Sequence, residues 1–144
     1  MMNDSCRIRL RVRYGEVDRM GIAYYANYLD WFTEGRTELL RQMGGNYRQI
    51  EDEGLLLPVV ATGARYHRPC RYDEEIDLVT SARMSPARLR FDYRVEKAGE
   101  LLAEGFTEHA FVRKSDMRPV NVRRAFPEIF RAFAGIPPYR SASD

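Results

Sequence analysis

The chain has 144 residues, 44% of them hydrophobic and 31% charged, the ordinary composition of one water-soluble domain with a buried core. Its 23 basic against 21 acidic residues leave a net charge of +2, too balanced to argue for a nucleic-acid partner. Two lone cysteines, Cys6 and Cys70, an N-terminus without an apolar leader, and no apolar run near the roughly 18 residues of a membrane span make the chain read as cytoplasmic.

From Arg7 to Tyr14 the pattern alternates. Ile8, Leu10, Val12 and Tyr14 take one face and Arg7, Arg9, Arg11 and Arg13 the other, which predicts a half-buried strand. The arginine row reads more simply as a solvated strand face than as a phosphate site. A connection over residues 15–26 follows, carrying Glu16, Asp18, Gly21, Tyr24 and Tyr25. The spacing then predicts a helix over residues 27–43, with Asn27 as its N-cap and Asp30 in its first turn. Tyr28, Leu29, Phe32, Gly35, Arg36, Leu39, Leu40 and Met43 recur as its core-facing stripe. Gly35 costs helix propensity, roughly 1 kcal/mol against Ala, and marks a close approach of whatever packs across it. Gly44 and Gly45 stop the helix.

Asn46 is expected to cap a short helix reaching Glu53, with Gly54 ending it. Residues 55–68 read as one long extended run, with Pro58 near its start. Further strands are expected over residues 76–84, 88–96 and 101–113. In the second of these, Leu89, Phe91, Tyr93 and Val95 alternate with Arg88, Arg90, Asp92, Arg94 and Glu96. Lys97-Ala98-Gly99-Glu100 reads as a hairpin turn, and a short helix is expected over about residues 125–134, ahead of a loose Ser-Ala-Ser-Asp end. The order of strand, long helix and consecutive strands is α+β: a curved antiparallel β-sheet wrapped around a long central helix. Residues 1–144 form a single domain in this reading, with its core over about residues 7–120. Edge strands and a half-covered sheet face favour association with further copies.

No nucleophile-elbow serine, P-loop or dinucleotide-binding glycine pattern is present. His67 and His109 fall in strand patterns without metal-ligand spacing and read as structural, so no metal is expected. Asp18 stands out. It lies in a short glycine-containing connection that feeds a helix, where unpaired backbone N–H groups favour anions and acid, base or nucleophile chemistry. The same side chain also suits ordering of its own turn, and Glu16 is the rival carboxylate. Tyr24, Tyr28, Trp31 and Phe32 suit either a core or a pocket for an aromatic group.

Tyr14-x-x-x-Asp18-x-x-Gly21-x-x-x-Tyr25-x-Asn27-Tyr28-x-x-Trp31-Phe32, followed by Glu34-Gly35-Arg36, resembles the opening of the hotdog-fold acyl-CoA thioesterases. It is most similar to the 4-hydroxybenzoyl-CoA thioesterase and YbgC-like branch. Tyr66-x-Arg68-Pro69-x-Arg71-Tyr72-Asp73-Glu74 and Arg88-x-Arg90-Phe91-x-Tyr93 resemble the same branch, so that the resemblance spans about residues 7–120. It implies a helix gripped by an antiparallel sheet, homodimers or homotetramers, and active sites at the subunit interface. It implies hydrolysis of a short-chain or aromatic acyl-CoA, with no cofactor beyond the coenzyme A of the substrate and an acyl carrier protein as a second candidate carrier.

Asp18 falls at the position of the family's catalytic aspartate, and Tyr25 at the helix-start position whose N–H faces the thioester carbonyl. Gly21, Tyr24, Asn27 and Tyr28 are then candidate substrate-binding residues, and Arg68, Arg71, Arg88 and Arg90 candidate phosphate contacts. Two departures stand out: Tyr25 replaces the histidine usual in YbgC-like members, and Glu16-Val17 replaces the usual Asp-Thr. A hotdog dehydratase and a non-catalytic acyl-CoA or acyl-carrier-protein binding module are the competing readings.

Overall fold

The structure is a computed structural model that describes residues 5–45 and 47–139. Its organising element is helix α1, Asn27–Gln42, lying across a five-stranded antiparallel sheet. The strands of that sheet are β1 (Ser5–Arg11), β3 (Val59–Tyr66), β4 (Glu75–Met84), β5 (Arg88–Lys97) and β6 (Glu100–Ala110), in the order β1-β4-β5-β6-β3. Strands β2 (Leu55–Leu56), β7 (Val112–Arg113) and β8 (Arg118–Pro119) make a second, small sheet. The described residues also hold three short α-helices, α2 (Tyr47–Asp52), α3 (Val122–Ala125) and α4 (Pro127–Ala132). Among the described residues no helix is long and apolar enough to cross a membrane.

The core follows from two periodicities meeting. Ile76, Leu78, Thr80, Ala82 and Met84 on β4 and Leu89, Phe91, Tyr93 and Val95 on β5 are buried at every second position. Tyr28, Trp31, Phe32, Gly35, Leu39 and Leu40 of α1 are buried at helical spacing and lie on that face. The close approach expected at Gly35 is present: a Cβ there would stand 2.3 Å from Thr80 Oγ1 and 2.7 Å from Leu78 Cδ2. The stripe is rotated from the expected one, for Trp31 is inside and Leu29 is exposed.

Several boundaries differ from the sequence reading, each for a local reason. The first strand ends at Arg11, and residues 14–16 form a 3-10 turn that leaves Tyr14 outside, edge-on to Tyr72. Arg7, Arg9 and Arg11 lie on the solvated face that was the simpler expectation, where they pair with Asp73, Glu75, Asp77 and Glu96. Asn27 does not cap α1: it is the first helical residue, Ala26 holds the cap position, and the Asn27 amide turns back to the loop. Residues 55–68 are not one strand, because Pro58 separates β2 from β3 and the two join different sheets. The run over residues 101–113 likewise divides at Phe111 into β6 and β7, and the C-terminal helix into α3 and α4 with Pro127 opening the second. The expected cap Asn46 and the C-terminal Ser-Ala-Ser-Asp lie outside the described residues. The predicted hairpin turn is present, with Ala98 at φ 50° and Gly99 at φ 80°, the conformation of a type I′ turn.

Candidate active site

The loop between β1 and α1 is built on two residues. Glu16 is buried, and its carboxylate accepts the Arg13 N–H at 2.7 Å and the Trp31 indole N–H at 2.9 Å. Burial opposes its charge, but these hydrogen bonds and the Arg13 guanidinium outweigh that and hold the Glu16 carboxyl below its ordinary range. Its carbonyl accepts the Tyr24 N–H at 2.7 Å and the Asn27 Nδ2–H at 2.8 Å.

Between Glu16 and Tyr24 the chain makes a small hairpin, with Val17 bridged to Ala23. Asp18 N–H donates to the Ile22 carbonyl and Gly21 N–H to the Asp18 carbonyl, both at 2.9 Å. Gly21 sits at φ +77°, the left-handed conformation such a turn requires and glycine adopts without strain. Asp18 Oδ1 accepts the Met20 N–H at 2.8 Å, so the turn-ordering role read from the sequence is real. Oδ2 has no partner among the described residues. The hairpin is tied down by the Ala23 N–H, which donates to the Cys70 carbonyl at 2.8 Å, and by the Ile22–Arg71 bridge.

At the start of α1, the N–H groups of Asn27, Tyr28 and Leu29 are taken by the carbonyls of Tyr24, Tyr25 and Ala26. The N–H groups of Tyr25 and Ala26 have no partner among the described residues. The Tyr66 hydroxyl donates to the Tyr25 carbonyl at 3.0 Å and fixes that peptide.

A cleft of about 340 Å³ opens here, walled by Asp18, Met20, Tyr25, Tyr28 and Tyr66, with residues 67–69 along one side. Its floor is apolar and tightly held. The Tyr28 ring packs edge-on to Tyr66, with centroids 4.9 Å apart. The Tyr28 hydroxyl lies 3.4 Å from Cys70 Sγ, and burial, then that contact, raise its phenol above the ordinary value. Cys70 is fully buried behind the cleft, and burial pushes its thiol up.

The structure therefore brings together Asp18, Tyr25, Tyr28 and Arg68 from the sequence-derived set. Gly21 shapes the Asp18 turn. Tyr24 stands outside, its ring 4.5 Å from that of Tyr25. Asn27 faces the Glu16 carbonyl rather than the cleft. Arg71 is exposed beyond the hairpin. Arg88 and Arg90 alternate with the buried face of β5 and so lie on the far side of the sheet. There Arg88 is 3.8 Å from Glu108, and Arg90 pairs with Asp92 and stacks 4.2 Å over Phe106. Within one chain neither arginine reaches the Asp18 cleft.

Sequence reasoning missed Tyr66, Met20 and His67 as lining residues. The one available signal was Tyr66-x-Arg68-Pro69, a stretch in which Arg68 was a candidate phosphate contact and Tyr66 carried resemblance but no assigned role. His67 borders the cleft with its Nε2 3.6 Å from Glu104, whereas His109 is buried in β6.

Comparison with known proteins bears on this geometry. Residues 12–133 match the family described as the Thioesterase-like superfamily. The chain is 36% identical over 126 residues to YneP of Bacillus subtilis, a candidate acyl-CoA thioesterase by name, covering 86% of this chain and 91% of that one. It is 28% identical over 134 residues to the acyl-CoA thioesterase YbgC of Haemophilus influenzae, covering 92% and 96%. The solved DHNA-CoA thioesterase from Staphylococcus aureus superposes with a TM-score of 0.84 at 27% identity, over 90% of this chain and 89% of that one.

Proposed function

We propose a reaction from the premise that this chain belongs to the Thioesterase-like superfamily and has the hotdog fold: it hydrolyses an acyl-CoA thioester to the free acid and coenzyme A. The observation that carries this reading is a single cleft walled by Asp18, with one free carboxylate oxygen, and by Tyr25, whose N–H has no partner among the described residues.

A thioester asks little of its catalyst. The leaving group is a thiolate, whose parent thiol has a pKa of about 8.5 if it resembles Cys, so a strong general acid is unnecessary. What remains is to polarise the carbonyl and deliver a nucleophile. The Tyr25 N–H, at the positive end of α1, stabilises the oxyanion as it forms; such donors contribute about 3–4 kcal/mol. Asp18 Oδ1 is fixed by Met20, which leaves Oδ2 to act. Asp18 either attacks the carbonyl, giving a mixed anhydride that water then opens, or takes a proton from an attacking water. In both routes the C–S bond breaks and the electron pair leaves with sulfur. A single turnover in ¹⁸O-labelled water separates them when the anhydride opens at the Asp18 carboxyl, because the first acid released is then unlabelled.

The tyrosine walls support a short-chain or aromatic acyl group, and Arg68 on the rim supports contact with the carrier's phosphates. An acyl carrier protein would present the same phosphopantetheine thioester. Strand β3 is an exposed edge, with Val59, Val60 and Tyr66 all open and the cleft at its end, which supports a second copy pairing there and completing the site. Free-thiol release from a panel of acyl-CoAs and acyl carrier proteins tests the reading; no release from any of them rejects it in favour of a binding module.

A further inference from the structure

We infer that Glu16 is the positioning residue of this site: as a carboxylate it fastens the hairpin carrying Asp18 to the first two turns of α1. The inference rests on the reading that Asp18 and the Tyr25 N–H act on the thioester.

Three donors converge on the Glu16 carboxylate. Oε1 takes the Arg13 N–H at 2.7 Å, and Oε2 takes the Trp31 Nε1–H at 2.9 Å and the Arg13 Nη2 at 3.4 Å. The side chain is 8% exposed. A site built of donors is satisfied only by a group that accepts at both oxygens. The backbone of the same residue closes the hairpin, for the Glu16 carbonyl takes the Tyr24 N–H and the Asn27 amide. Glu16 and Tyr24 are thus the base of the hairpin. Asp18 lies two residues beyond one end of that base, and Tyr25 one residue beyond the other. The separation of Asp18 from the Tyr25 N–H is set by this base. The base in turn is set on the helix by the bond to Trp31, a buried residue of α1. Glu16 itself does not line the cleft, so it acts through the loop and not on substrate.

Charged neighbours are few. Arg13 pairs with Glu16 and is itself drawn toward Asp30 and Glu34 of α1, while Cys70 faces Glu16 from the segment behind the hairpin.

The test uses Glu16→Gln in the full-length chain, which keeps size and shape but turns one acceptor into a donor facing another donor. Trp31 is the single tryptophan, so its emission reports the bond directly. The expected result is a folded protein with shifted emission, kcat lower by about 10²-fold, the cost of a small misplacement of reacting groups, and KM unchanged. Shifted emission with wild-type kcat would show the bond to be structural only and overturn the inference. So would a rise in KM alone. If Glu16→Gln does not fold, Trp31→Phe removes the same bond and is read by the same kcat and KM outcomes. A wild-type protein that releases no thiol from any acyl thioester overturns the functional reading, and this inference with it.

Discussion

Phe32 of α1 lies flat on Tyr93 of β5, with ring centroids 4.2 Å apart and planes 4° from parallel. The stack is seated by Gly105 of β6, beside Tyr93 in the sheet register, which carries no side chain to lift the ring away. A Cβ at Gly105 would stand 2.6 Å from Phe32 Cε2 and 2.7 Å from the Gly63 carbonyl. One obstacle is backbone, so the site relaxes poorly. Gly105→Ala is expected to lower stability by about 1–3 kcal/mol, the usual cost of overpacking, measured by urea unfolding. A variant as stable as the wild type would contradict this account of the core.

Beneath that stack runs a chain of buried hydrogen bonds. The Tyr93 hydroxyl lies 2.6 Å from Thr107 Oγ1, Thr107 Oγ1 2.9 Å from His109 Nε2, and His109 Nδ1 2.9 Å from the Leu57 carbonyl. A neutral imidazole donating to Leu57 and accepting from Thr107 fits every link. Burial pushes His109 down to about 4 from its ordinary 6.5, with the Arg36 charge adding to the shift and the Leu57 bond opposing it. Below pH 6.5 the unfolded chain therefore binds a proton that the folded one refuses. Stability from this group is fully present above 6.5, drains as pH falls toward about 4, and is level below that. The window is worth about 3 kcal/mol. Urea unfolding at about pH 7.5 and about pH 5 is expected to show a smaller pH loss in His109→Gln than in the wild type. Equal losses would contradict a neutral buried His109.

Much of this architecture was legible because it rests on periodicity. The alternation in β5 gave the buried face of that strand, the stripe of α1 gave its helix face apart from a rotation, and Gly35 marked a close approach whose partners prove to be Thr80 and Leu78. The breaks were less legible. Pro58 and Phe111 divide extended runs because the chain changes sheets there, which no local pattern records. At the site, Asp18 stood out from its place ahead of a helix, whereas Tyr25 was named only through the family resemblance. Tyr66 was invisible as a site residue because it arrives from a strand edge 41 residues on from Tyr25. Glu16 looked like a rival acid because one of its donors, the Trp31 indole, comes from a helix face whose rotation the stripe misjudged.

The exposed edge of β3 gives a further prediction. Val60 stands open beside a bulge in the register between Val59 and Ala61, on an edge that carries few charges. If a second copy pairs along β3, Val60→Lys brings like charges to the contact at a cost of several kcal/mol. Light scattering is expected to show a smaller assembly than the wild type, and turnover is expected to fall with it. An unchanged mass would place the contact elsewhere on the chain.

In the proposed reaction Asp18 performs the chemistry as well as ordering its turn. Asn at this position retains an oxygen to accept the Met20 N–H, and so spares the hairpin while removing the charge. Thiol release by folded Asp18→Asn on the best acyl thioester is the measurement that separates the two roles. A catalytic Asp18 lowers kcat in this variant by about 10²–10⁴-fold with KM little changed. Near wild-type turnover in that folded variant would contradict it and leave Asp18 a turn residue only.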